Sequence, residues 1–176
     1  MEILEHVSIP HMSDIEEKIM DLMDTQYSFK GRSINLSDKG WCFLWDNAKR
    51  RFGQCNPRDR IIKISRHLAE ANRDDFDDVI KNTVLHEIAH AIHWEFFREA
   101  NHGFLWIDIA RTIGCDGQRY YSRENVKTVE PKYSMICPVC GKEFPIHKKP
   151  TRSASCGFCH KGSFDPRFKL VLVQNY

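Results

Sequence analysis

Two imidazoles and a carboxylate stand together in His86-Glu87-Ile88-Ala89-His90. On an α-helix the two rings are one turn apart, about 6 Å along the axis, and point the same way. Rings so placed can share one metal ion, and zinc is the ion that such a pair with a neighbouring glutamate suits. Glu87 would then serve as general base toward the attacking water, while the metal stabilises the developing oxyanion. In a helix that is merely amphipathic the same five residues are coincidence. Apolar flanks on the core side and further candidate ligands within a dozen residues argue against that.

A catalytic zinc takes three protein ligands and keeps one position open. The candidates for the third are His93, Glu95, Glu99 and His102. His93 shares the helical face, yet it stands about 10 Å from His86 along the axis, against a zinc–nitrogen bond of about 2.0–2.1 Å, so a straight helix cannot deliver all three rings. Glu95 and Glu99 are turned away or too far along. His102, in Asn101-His102-Gly103-Phe104, follows the expected helix end, where the chain can fold back and a glycine permits close backbone approach. It is the preferred third ligand; the competing reading is a solvated loop histidine. No glycine-and-histidine pattern directly follows His90, which argues against the metzincin class and for a zinc metallopeptidase of the gluzincin type.

A second metal signal lies near the carboxyl end. Cys137-Pro138-Val139-Cys140-Gly141 and Cys156-Gly157-Phe158-Cys159 are two Cys-x-x-Cys knuckles fifteen residues apart, a spacing that lets two short turns bring four sulfurs into a tetrahedron. Such a closed site has no open position, so this zinc is structural and holds a small ribbon together. Redox-active pairs are the alternative, but no thioredoxin-like strand and helix surrounds either one. His147 and His160 read as surface residues, and Cys42, Cys55 and Cys115 as reduced, partly buried thiols.

Charge is unevenly spread. From Lys132 to Tyr176 there are eight Lys or Arg against two acids, a net +6, which leaves 18 against 22, or −4, in the first 131 residues. Lys142, Lys148, Lys149, Arg152, Lys161, Arg167 and Lys169 alternate with Phe144, Phe158 and Phe164, a mixture suited to phosphates and unstacked bases, single- or double-stranded DNA included. A solvated lysine-rich face is the bland reading. Lys49-Arg50-Arg51 with Arg58, Arg60 and Lys63 form a second, smaller basic group.

The elements that must carry these residues follow from periodicity. Ser13-Asp14-Ile15-Glu16 caps an apolar series at Ile15, Ile19, Leu22 and Met23, predicting a helix to about residue 26. Aromatic and β-branched clusters at Trp41, Phe43, Trp45 and Ile61, Ile62, Ile64, broken by Gly53 and Asn56-Pro57-Arg58-Asp59, predict two or three strands. Asp74 and Asp75 open a long helix whose face runs Phe76, Val79, Ile80, Val84, Ile88, Ile92, Phe96. A short helix from Gly103 to Ile113 stops at Gly114, residues 115–132 form a connector, and Phe168 to Val173 read as a strand.

A chain of 176 residues with 41% hydrophobic content holds one main core plus a small module. Met1 to Asp14 lacks the apolar core of a signal peptide and no run is long enough for a bilayer, so an intracellular protein, in cytoplasm or nucleus and not secreted, is expected, with no membrane partner. Seven cysteines, an odd number with four in metal-binding knuckles, fit a reducing compartment. A monomer is favoured.

Four stretches in this order resemble the SprT-like, or Spartan-type, family: Arg51-Phe52-Gly53-Gln54-Cys55-Asn56-Pro57-Arg58 running into Ile61-Ile62-Lys63-Ile64-Ser65-Arg66-His67-Leu68; His86-Glu87-Ile88-Ala89-His90; His102-Gly103-Phe104; and the four-cysteine ribbon. The resemblance covers roughly residues 13 to 170. It implies zinc on His86, His90 and His102, Glu87 as catalytic acid/base, and a DNA-binding ribbon beside a peptidase that cleaves proteins crosslinked to DNA, as in DNA repair. Asn101 departs from the glycine that usually precedes the third histidine. The expected fold is therefore α+β: a zincin-like (minigluzincin) core with a short twisted β-sheet and an active-site helix over residues 1–131, then a zinc ribbon over 132–176, with two Zn2+, one catalytic and one structural. The strand at Ile61 to Ser65 is expected to offer an exposed edge above the cleft, to which a protein substrate adds as a further strand. Two rival readings are an inactive nucleic-acid-binding ribbon protein and a zinc peptidase that cleaves a regulatory protein, such as a repressor.

Overall fold

The computed structural model describes residues 10–119 and 126–176. The first nine residues, where most of the signal-peptide argument lies, and residues 120–125 of the expected connector fall outside the described residues. The chain divides into two compact units, Met1–Val129 and Glu130–Tyr176.

Unit one begins with α1, Met12–Met23, whose Ile15, Ile19 and Met23 are buried. The cap is not at Ser13. The helix starts earlier because Asp14 reaches back, its carboxylate accepting the His11 N–H at 3.0 Å. Two strands that periodicity did not suggest follow as a hairpin: β1, Gln26–Phe29, and β2, Arg32–Asn35. Lys30 and Gly31 turn it with positive φ at both positions, 49° and 76°, the conformation a tight two-residue hairpin turn requires.

Strands β3 (Cys42–Asp46), β4 (Gly53–Asn56) and β5 (Ile61–Ser65) form a sheet of order β3-β5-β4. β5 pairs parallel to β3 and antiparallel to β4. The expected free edge at Ile61 to Ser65 is thus corrected: β5 is the central strand, paired on both sides. Its near-continuous apolar run, with Ile62 and Ile64 fully buried, is that of an interior strand. β3 and β4 are the two edge strands, and the one that lines the cleft described below is β4.

Ser65 then caps α2, Arg66–Ala71, its hydroxyl accepting from the Leu68 N–H at 3.1 Å. The long helix expected from Asp74 onward opens differently. Phe76–Lys81 is a π-helical segment, with the Ile80 N–H donating to the Asp75 carbonyl at 3.4 Å, before α3 proper runs Asn82–Phe97. Arg98 ends α3 in a left-handed conformation. After a short loop, α4 spans Phe104–Thr112, and Gly114 follows at φ 93°.

Unit two is a three-stranded antiparallel sheet of β6 (Tyr133–Ile136), β7 (Glu143–Ile146) and β8 (Val171–Gln174), with β6 in the middle. The last strand starts three residues later than its apolar run suggests, because Asp165 caps a short 3₁₀ turn over Pro166–Phe168, accepting from the Arg167 N–H at 2.9 Å. No helix among the described residues is long and apolar enough to cross a membrane.

Candidate metal centre

α3 carries His86 and His90 one turn apart, and the loop between α3 and α4 brings His102 onto the same point. The Nε2 atom of His102 lies 3.2 Å from that of His86 and 2.9 Å from that of His90. Zinc–nitrogen bonds of about 2.0–2.1 Å meeting at tetrahedral angles span about 3.3–3.4 Å between nitrogens, so the cluster has close to the dimensions of a metal site. The proton inventory agrees. The Gln118 backbone lies near the His86 ring and favours its protonated form, a smaller effect than those that oppose it. Burial, then the neighbouring His102, pushes His86 down to about 4. The same causes, with His86 and His93 adding to them, push His90 down to about 3, and burial lowers His102 as well. Neutral imidazoles with lone pairs facing one point are a site for a cation.

Trp106, on α4 and fully buried, walls the cluster, its ring centroid 4.6, 5.0 and 4.5 Å from those of His86, His90 and His102. Its indole nitrogen has no hydrogen-bond partner among the described residues. Sequence reasoning passed over Trp106. The one signal is its place a helical turn after His102-Gly103, and periodicity counts such a residue only as core.

Glu87 points toward β4 on the side of the cleft. Only 8% exposed, its carboxyl is pushed up to about 7 by burial, against the pull of the Cys55 backbone N–H and the Arg51 guanidinium. A cleft of about 640 Å³ joins the histidine cluster and Glu87 to Phe52, Gly53, Cys55 and Pro57 of the β4 strand and its flanks. Arg51 is tied to Asp46 by an ion pair at the rim.

The other candidates for a third ligand stand outside the cluster. His93 is buried in the core away from it, its ring nitrogens making no hydrogen bond among the described residues and Nε2 lying 3.7 Å from Glu99. Glu95 accepts from the Trp41 indole at 3.1 Å and from Arg60 at 3.2 Å. Asn101 braces the His102 loop: its side-chain oxygen accepts the Gly103 N–H at 2.8 Å and its amide donates to Glu99 at 3.1 Å.

In unit two, Cys137, Cys140, Cys156 and Cys159 converge as free thiols. Sulfur separations of 3.8 Å for Cys137 with Cys159 and 3.7 Å for Cys140 with Cys156 are far beyond a disulfide and match the edge of about 3.8 Å that zinc–sulfur bonds of about 2.3 Å give. Each knuckle is closed by a backbone bond, from Gly141 to Cys137 at 2.9 Å and from His160 to Cys156 at 3.0 Å. His160 lies outside the cluster, stacked on Phe168. Lys142, Lys148, Lys149, Arg152 and Lys161 are all exposed, and the Lys142 ammonium sits over the face of Phe158.

No curated protein and no solved structure matches the chain. The sequence model of the SprT-like family matches residues 17–129, from within α1 past α4, a span that takes in Glu87 and all three clustered histidines. On that match the chain belongs to the SprT-like family.

Proposed function

We propose that this protein is a zinc-dependent metalloendopeptidase with a zincin-like core, acting on proteins bound or crosslinked to DNA and stimulated by that DNA. One observation carries the peptidase reading: the Nε2 atoms of His86 and His90 converge on that of His102 at 3.2 and 2.9 Å, beside a buried carboxylate in an open cleft. His86, His90 and His102 would hold one zinc, and Cys137, Cys140, Cys156 and Cys159 a second, structural one. The first ion, when bound, supplies Lewis acidity at the scissile carbonyl.

The rest is the work of the chain itself. Glu87 accepts a proton from the water that attacks the carbonyl carbon, and returns it to the amine nitrogen as the carbon–nitrogen bond breaks. A carboxyl pushed up to about 7 is suited to both halves of that transfer near neutral pH. Among the described residues β4 pairs on one side only, so its other edge would offer main-chain groups to an extended substrate, and pairing rather than a deep side-chain pocket would align the scissile bond. The exposed lysines and Phe158 of unit two support the DNA reading, as phosphate and base contacts. Seven free thiols are in keeping with a reducing, intracellular setting.

The test is cleavage of a basic DNA-binding protein with and without single- and double-stranded DNA. The wild-type chain carries two zinc ions and cleaves, faster with DNA. Glu87→Gln keeps both ions and loses cleavage by roughly 10²- to 10⁴-fold. Normal turnover by that variant would refute the role given to Glu87. Two ions and DNA binding with no cleavage by the wild type would leave the ribbon as the functional part.

A further inference from the structure

Gly53 is a glycine that its backbone does not need. It is absent from the positive-φ residues of the chain, so alanine could adopt the same strand conformation. The constraint lies in what stands above it. A Cβ built at Gly53 would lie 2.5 Å from Oε1 of Glu87, 2.8 Å from its Cγ and 3.0 Å from its Cδ. The whole carboxyl arm occupies the volume that any other residue would fill.

Two residues on, the backbone N–H of Cys55 lies close enough to the same carboxylate to favour its charged form. Residues i and i+2 of a strand share a face. Here β4 presents Glu87 with a missing side chain at one position and a hydrogen-bond donor at the next. Glu87 is buried and so has little room to swing elsewhere.

We propose that Gly53 is a positioning residue for the general base: the gap it leaves in β4 and the Cys55 amide together aim the Glu87 carboxylate at the cleft. The proposal rests on the reading of Glu87 given above. It assigns a role in the reaction to a strand residue that carries no functional group. A side chain at position 53 drives the carboxyl away from the Cys55 N–H without touching the three imidazoles, so metal binding survives and turnover does not.

The experiment compares Gly53→Ala with wild type as the full zinc-loaded chain, using fluorescein-labelled casein as the probe. The expected result is two zinc ions per chain, KM within about twofold and kcat lower by roughly 10²-fold. Glu87→Asp, one methylene shorter, should cost less activity in the Gly53→Ala background than in wild type. A second readout needs no turnover. Gly53→Ala should lower the unfolding temperature when Glu87 is present and raise it in a Glu87→Ala background, where the contact is gone and alanine is the better strand residue. An unchanged kcat, or equal effects on unfolding in both backgrounds, overturns the proposal, as does failure of Gly53→Ala to fold in both. A wild type that leaves casein intact counts against the peptidase reading instead, and the unfolding comparison still judges the Gly53–Glu87 contact.

Discussion

His86 and His90 differ from ordinary histidines in being held neutral well below the usual range, to about 4 and about 3, and burial lowers His102 as well. Without metal this makes folding sensitive to acid. In the unfolded chain the same rings take up protons near pH 6.5, so between there and about 3–4 the unfolded state binds more protons than the folded one. Stability from this source is complete above pH 6.5 and is lost as pH falls. Zinc-free protein should therefore show a lower urea midpoint at pH 5 than at pH 7.5, and His90→Asn should flatten the difference. The ligand candidates were legible in the sequence because helical spacing is rigid arithmetic. Trp106 and Gly53 were not, since one acts by filling space and the other by leaving it, and neither has a functional group for a motif to register.

At the scale of elements, long amphipathic helices and the Gly114 stop follow their periodicity, whereas the β1–β2 hairpin and the π-helical opening of α3 do not. Lys30-Gly31 is a weaker turn signal than Asn-Gly, and the strands it joins are four residues each. The order of β3, β4 and β5 was beyond reach for another reason: which strand is central depends on what packs on both its faces, and burial on both sides is visible in β5 only once its partners are placed. α4 matters to the site through Trp106, whose ring stacks on His90 and meets His86 and His102 edge-wise. Trp106→Ala should cost about 3–5 kcal/mol of core stability by leaving a cavity, measured by urea unfolding, and should weaken zinc at the histidine cluster because the rings lose their backing. Normal zinc affinity in that variant would confine Trp106 to a packing role.

For the molecule as a whole, the two units carry two separate sets of ligands, nitrogen donors in one and sulfur donors in the other. Each should fail alone. Cys156→Ser is expected to lose one of the two zinc ions and the folded state of unit two, to leave the unfolding transition of unit one in place in calorimetry, and to abolish stimulation by DNA while sparing basal cleavage. His102→Ala should lose the other ion and all cleavage with the ribbon intact. Zinc content by emission spectroscopy together with DNA binding separates the two cases. On the proposed reading, the outer border of β4 would limit what can be cut. Four residues of extended chain occupy about 13 Å, and a segment can lie along that length only if it has already left its own helix or sheet. Native domains would pass untouched, and the vulnerable stretches of any target would be its tails, its linkers and whatever damage or heat has loosened.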